Sequence, residues 1–97
     1  MARLFVSPGA EEDLDRLVDF IAEQDAASAA PVLETILEAL EILSRHPLVG
    51  RPVDERRHEL VISRGAHGYI ALYSFDAESD LVTVLAVRHQ REAGFEG

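Results

Sequence analysis

The last apolar run of the chain, Leu81 to Val87, is followed at once by Arg88-His89-Gln90-Arg91. A β-rich segment that delivers two guanidiniums and an imidazole at its exit has the form of a scaffold presenting a site. A guanidinium carries a planar fork of donors suited to bidentate contact with a carboxylate or a phosphate. An imidazole, with a free pKa of about 6.5, can give or take a proton near neutrality. Arg88, His89 and Arg91 are therefore the first candidates for contact with a target. The plainer reading of an arginine at a strand end is a solvated charge or an ion-pair partner.

The rest of the composition bounds what this site can belong to. The chain has 97 residues, enough for one domain spanning 1–97 with one core. Apolar residues make up 47%, enough to fold. Cysteine is absent, which leaves no disulfide framework and no thiolate zinc site. His58 and His67 show no metal-ligand spacing with any acidic pair, so no metal and no cofactor is expected. The apolar runs are far shorter than the roughly 20 residues of a membrane span. The N-terminus carries no signal-peptide pattern, and a cytoplasmic protein is expected. Lysine is absent too, so every fixed positive charge is an arginine. The formal charge of −9 is unevenly placed. Residues 1–44 hold ten acids and two arginines, whereas residues 45–97 hold eight acids and seven arginines. The acidic half cannot usefully grip DNA but suits basic protein segments, and direct sequence-specific DNA binding is not expected.

The elements that must position the basic exit can be read from periodicity. Leu4-Phe5-Val6 reads as a short strand. Ser7-Pro8 then signals a helix start, with Ser7 as cap and Pro8 at the first helical position. Glu11, Glu12 and Asp13 fall near that start, where carboxylates favour the positive end of the helix dipole. Ala10, Leu14, Leu17, Val18 and Ile21 form one apolar face. A break at 24–28 leads to a second helix, for which Pro31 in the first turn favours Ser28 as cap over Asp25. Leu33, Ile36, Leu37, Leu40 and Leu43 form its apolar stripe, which stops at His46-Pro47. His46 is expected to sit at the helix end, favourable with its dipole. Residues 47–57 read as a loop. Glu59 to Ser63, Tyr69 to Asp76 and Leu81 to Arg88 read as strands of an antiparallel meander. Tyr69 and Tyr73 share a strand face and are expected in packing. Arg56-Arg57-His58 lies among Asp54, Glu55 and Glu59 and reads as a charged loop. The predicted fold class is α+β: an N-terminal strand, a two-helix antiparallel hairpin, then a three-stranded antiparallel meander packed on the helices. The first strand is expected at a sheet edge or beside the last strand.

Ser7-Pro8-Gly9-Ala10-Glu11-Glu12-Asp13-Leu14, His46-Pro47-Leu48-Val49-Gly50-Arg51, Tyr69-Ile70-Ala71-Leu72-Tyr73 and Val84 to Arg91 come in an order and spacing that resemble the RelE/ParE family of bacterial toxins. The resemblance covers nearly the whole chain. It implies the toxin of a two-gene toxin–antitoxin module of type II, as in plasmid stabilisation. Such a toxin is held inactive by a cognate antitoxin, here expected to be of the ribbon-helix-helix type. In the ParE branch the target is DNA gyrase; in the RelE branch mRNA is cleaved in the ribosome.

The resemblance also implies site residues. Arg64, before a glycine turn, matches one family arginine, and Arg88 matches the strand-end arginine. Several RelE-type enzymes use lysine, arginine and a C-terminal tyrosine. This chain has no lysine, and its C-terminal aromatic, Phe95, has no hydroxyl. A ParE-like toxin that inhibits gyrase is therefore favoured, with Arg64, Arg88, His89 and Arg91 as target contacts and no catalytic residue assigned. If the chain is instead a metal-independent endoribonuclease, Arg64 and Arg88 would stabilise the phosphorane and His89 would transfer protons. A third alternative is an inactive member that keeps only antitoxin binding.

Overall fold

The computed structural model describes residues 1–62 and 68–90. Within them the elements run β1 (Arg3–Val6), α1 (Pro8–Gln24), α2 (Ala26–Arg45), β2 (Arg51–Pro52), β3 (Arg57–Ile62), β4 (Tyr69–Asp76) and β5 (Leu81–His89). The strands form one sheet in the order β1-β5-β4-β3-β2. β2 to β5 pair antiparallel in sequence order, and β1 pairs parallel with β5. The first strand is thus both at an edge and beside the last strand. The α+β class and the two-helix hairpin over a meander are as the periodicity requires.

Both helices press their apolar faces on one side of the sheet. Ala10, Leu14 and Leu17 of α1 join Ile36, Leu40 and Leu43 of α2 over Tyr69, Ala71, Tyr73, Val82, Val84 and Val87. The nine helix acids other than Asp13, counting Asp25 between the helices, are exposed. The acidic half of the sequence therefore becomes an acidic outer surface.

Ser7 caps α1 as its sequence suggests, accepting the Ala10 N–H at 3.2 Å with Pro8 at the start of the helix. The second cap differs from expectation. Asp25, not Ser28, caps α2, accepting from the Ala27 N–H at 3.1 Å and the Ser28 hydroxyl at 2.7 Å. Its own N–H donates back to the Ile21 carbonyl at 2.8 Å, so one residue closes α1 and opens α2. Pro31 consequently lies inside α2 rather than in its first turn. It forfeits one hydrogen bond to the preceding turn, a cost the double cap and the packing of α2 outweigh.

The segment expected to be all loop contains β2, which pairs with Glu59 and His58. Gly50 sets its entry. The Gly50 N–H donates to the buried Tyr73 Oη at 2.8 Å. A β-carbon at residue 50 would lie 2.6 Å from that oxygen and 2.7 Å from the Glu59 carbonyl oxygen. Only glycine lets the backbone approach so closely. Pro52 sits on an edge strand, where its missing donor is harmless.

β4 and β5 slip register between Leu72 and Tyr73. Tyr73 faces Val84, while Leu72 faces Ala86, so Leu85 is the extra residue of a bulge. Before it, Val82 and Val84 point to the helices; after it, Val87 and His89 take that face. The bulge therefore decides that Val87 enters the core and that Arg88 leaves on the other face.

Because Asp25 serves both helices, Asp25→Ala should cost about 2 kcal/mol, the upper part of the range for a single cap. Denaturant unfolding of the variant against the parent chain measures it.

Candidate functional site

The chemistry-bearing end of β5 is organised by one carboxylate. Asp13 lies one turn into α1, and its side chain is 8% exposed. One of its oxygens accepts the Val87 N–H at 2.9 Å. The other accepts from Arg88 Nη1 at 2.6 Å and from Arg16 Nη2 at 2.9 Å. A buried carboxylate is tolerable only with such partners.

The backbone explains why the carboxylate is there. β1 pairs with β5 from Leu81 to Val84 and then ends. The Ser7 N–H donates to the Val84 carbonyl, the Ser7 hydroxyl to the Leu85 carbonyl, and the chain turns into α1. Past that point the β5 edge has no strand neighbour among the described residues. The Val87 N–H would be buried without an acceptor, and Asp13 supplies one. The bulge has just turned the Arg88 side chain away from the helices. Its guanidinium reaches Asp13 across the edge that β1 leaves uncovered.

His89 takes a different course. It faces Tyr69 in the register, with the rings edge to face at 5.4 Å between centroids. Tyr69 is buried, and burial raises its phenol pKa. Arg88 and His89, adjacent in sequence, thus make their contacts with different neighbours, Arg88 with α1 and His89 with β4. Arg64, Arg91, His67 and Phe95 lie outside the described residues.

Asp13 is the residue that sequence reasoning passed over, treating it as one more acid near a helix start. A signal was present. Asp13 falls three residues after Ala10 and four before Leu17, on the apolar face of its own helix. An acid in a core position implies a specific partner.

Two further arginines settle in structural pairs. Arg51 bonds Glu59 across β2 and β3. Asp54 accepts from the Arg56 and Arg57 N–H groups and from Arg57 Nε, at 2.7 to 2.9 Å. Those bonds, led by the Arg56 N–H, lower its pKa from 3.8 to about 2. The Arg56-Arg57-His58 segment, expected as a charged loop, is so only at Arg56; Arg57 and His58 open β3, where they pair with Ser74 and Tyr73. His58 stacks on Tyr73 at 5.4 Å, and its Nδ1 is buried without a hydrogen-bond partner. Among the described residues no cluster of three metal-ligating side chains occurs. No helix there is long and apolar enough to cross a membrane. A shallow depression of about 420 Å³ between Arg45-His46-Pro47-Leu48-Val49 and Phe75 is apolar and carries no charge pair. His46 closes α2 as expected, its N–H donating to Ile42.

Two stability measurements check these pairings. Asp13→Ala strands the Val87 N–H and should cost about 2 kcal/mol or more, most of it from that group, because both arginines keep contact with water. Asp13→Asn keeps an oxygen for Val87 and should cost clearly less. Asp54, whose folded pKa is depressed, supports its turn above pH about 4 and loses that support as pH falls through about 2. A carboxyl titration followed by NMR should place its midpoint near that lower value, and Arg57→Ala should move it up.

Comparison with known proteins adds the following. The family model for the ParE toxin of type II toxin–antitoxin systems matches residues 4–94. Toxin RelE3 of Caulobacter vibrioides is 30% identical over 92 residues, covering 95% of this chain and 98% of that protein. The crystal structure of the toxin–antitoxin complex RelBE2 from Mycobacterium tuberculosis superposes with a TM-score of 0.60 at 29% identity, over 91% of this chain and 96% of that one. A mutant of the E. coli toxin RelE in the free state superposes with a TM-score of 0.52 at 20% identity, over 96% and 88%. That last likeness concerns the fold alone.

Proposed function

The chain belongs to the ParE toxin family of type II toxin–antitoxin systems, and from that premise we propose that it acts on DNA gyrase in the cytoplasm. Membership of such a module implies a cognate antitoxin, as in the RelBE2 complex. A ribbon-helix-helix antitoxin is the expected form.

One observation carries the choice of target. The Arg88 guanidinium is tied to Asp13 of α1, while the adjacent His89 ring lies against Tyr69 of β4. Phosphoryl transfer needs a proton donor or acceptor and a charge stabiliser converging on one phosphate. A carboxylate-held arginine and a ring turned towards the core favour contact over catalysis. The absence of lysine from the whole sequence supports the same reading. Arg64, Arg88, His89 and Arg91 are accordingly target contacts. The RelE-like alternative, a ribosome-dependent mRNA endoribonuclease, is favoured by the likeness to RelE3 and RelBE2. An inactive relative would keep antitoxin binding alone.

The exposed acids of α1 and α2 offer the antitoxin a negative surface that suits a basic arm. Arms of that kind bind less tightly as salt rises.

Induction of the chain without its antitoxin, in a bacterium carrying a DNA-damage reporter, separates the readings. Growth arrest with a strong reporter signal is expected. Arrest with a silent reporter and cleaved messages would assign ribosomal mRNA as target, and no arrest would assign the inactive form. Arg88→Ala should lower toxicity about tenfold or more, the effect of a central contact. It should hardly change the melting temperature, because Asp13 keeps Val87 and Arg16.

A further inference from the structure

We propose that the unit meeting the target is not the strand exit alone but a pair of arginines, Arg16 and Arg88, with Asp13 as their positioning residue. This rests on the reading of Arg88 as a target contact.

Away from this site, Arg51 pairs with Glu59 and Arg57 with Asp54. At Asp13 two guanidiniums share one carboxylate, and through the same oxygen. The two arginine nitrogens therefore lie within two hydrogen-bond lengths of each other. The group as a whole carries one excess positive charge. Glu12 and Asp19, exposed on α1, are one turn from Arg16, but no hydrogen bond joins either to it.

The two arginines remain in reach of a partner. The Arg16 side chain is 55% exposed and that of Arg88 37%, whereas Asp13 is 8% exposed. A guanidinium has five donors. Arg16 and Arg88 each give a bond to Asp13, and enough donors are left to receive an acidic group of the target. The carboxylate beneath them is itself fixed by the Val87 N–H, so both cations are anchored to backbone on two elements, α1 and β5. Holding two long side chains in one place before binding lowers the entropy lost on binding. Arg16 thereby becomes a contact residue although it lies some seventy residues from the strand exit.

The test uses the full chain, induced without antitoxin, and reads the inducer level needed for growth arrest. Arg16→Gln, an exposed change, should raise that level about tenfold with an unchanged melting temperature. Asp13→Asn should do the same while keeping an acceptor for Val87. A second readout is the set of proton–nitrogen resonances of the Arg88 Nη groups in the purified chain, since Nη1 makes the bond to Asp13. They should be distinct and slow to exchange in the parent and in Arg16→Gln, and should collapse to the averaged position in Asp13→Asn. Full toxicity in Arg16→Gln, or an unchanged set of Arg88 resonances in Asp13→Asn, overturns the proposal. If Arg88→Ala is harmless while Arg16→Gln and Asp13→Asn keep full toxicity, this proposal falls and the contact reading of Arg88 stands. If Arg88→Ala keeps full toxicity, or the parent chain is harmless, both fall.

Discussion

The architecture turns on how the edge of β5 is finished. A parallel strand of four residues, β1, covers only the first half of a nine-residue partner. The remaining edge is buried under α1, where a backbone N–H has no strand to bond among the described residues. The Asp13 carboxylate fills that place at 2.9 Å. It acts as the next residue of β1 would, had that strand continued. Because the acceptor is charged, it must be balanced, and Arg88 and Arg16 do so. A backbone requirement thus places cations at the β5 exit.

The bulge at Leu85 belongs to the same arrangement. Without it, strict alternation from Val82 and Val84 would turn Ala86 and Arg88 towards the helices. An arginine in that position would face the apolar helix layer, and Val87 would face outwards. The extra residue reverses both. Buried ion pairs are poor evidence of stability, since desolvation offsets much of their attraction. Here the ion pair is secondary to a backbone bond that an apolar residue at 13 could not make.

Local signals carried most of the fold into view. Ser7-Pro8, the apolar stripes of the helices and the alternation of β4 and β5 each depend on residues near in sequence. So does the shared face of Tyr69 and Tyr73. What stayed hidden depends on distance. The β2 pairing exists because Gly50 can approach a tyrosine twenty-three residues away. The choice of Asp25 over Ser28 as cap rested on the cost of Pro31, a local rule that the shared cap and the burial of α2 overrode. The bulge leaves only a faint trace, the shift in spacing from Val84 to Val87. For the site, the strand exit was legible from composition, but its organiser was not, since Asp13 and Val87 are seventy-four residues apart.

The division of charge gains a physical meaning from this geometry. A chain of net charge −9 repels anionic surfaces at long range, so any contact with an acidic group must be local and short. Two guanidiniums gathered on one buried carboxylate provide such a contact. Their combined charge is modest, yet it lies where α1 meets β5, and the exposed helix acids leave the rest of that layer negative. Attraction through this site then acts over hydrogen-bond distances rather than across a Debye length, and it selects for shape as well as sign. The acidic helices meanwhile remain open to a partner of opposite charge. One small domain can in this way present two surfaces of opposite character, a positive one at the strand exit and a negative one on its helices.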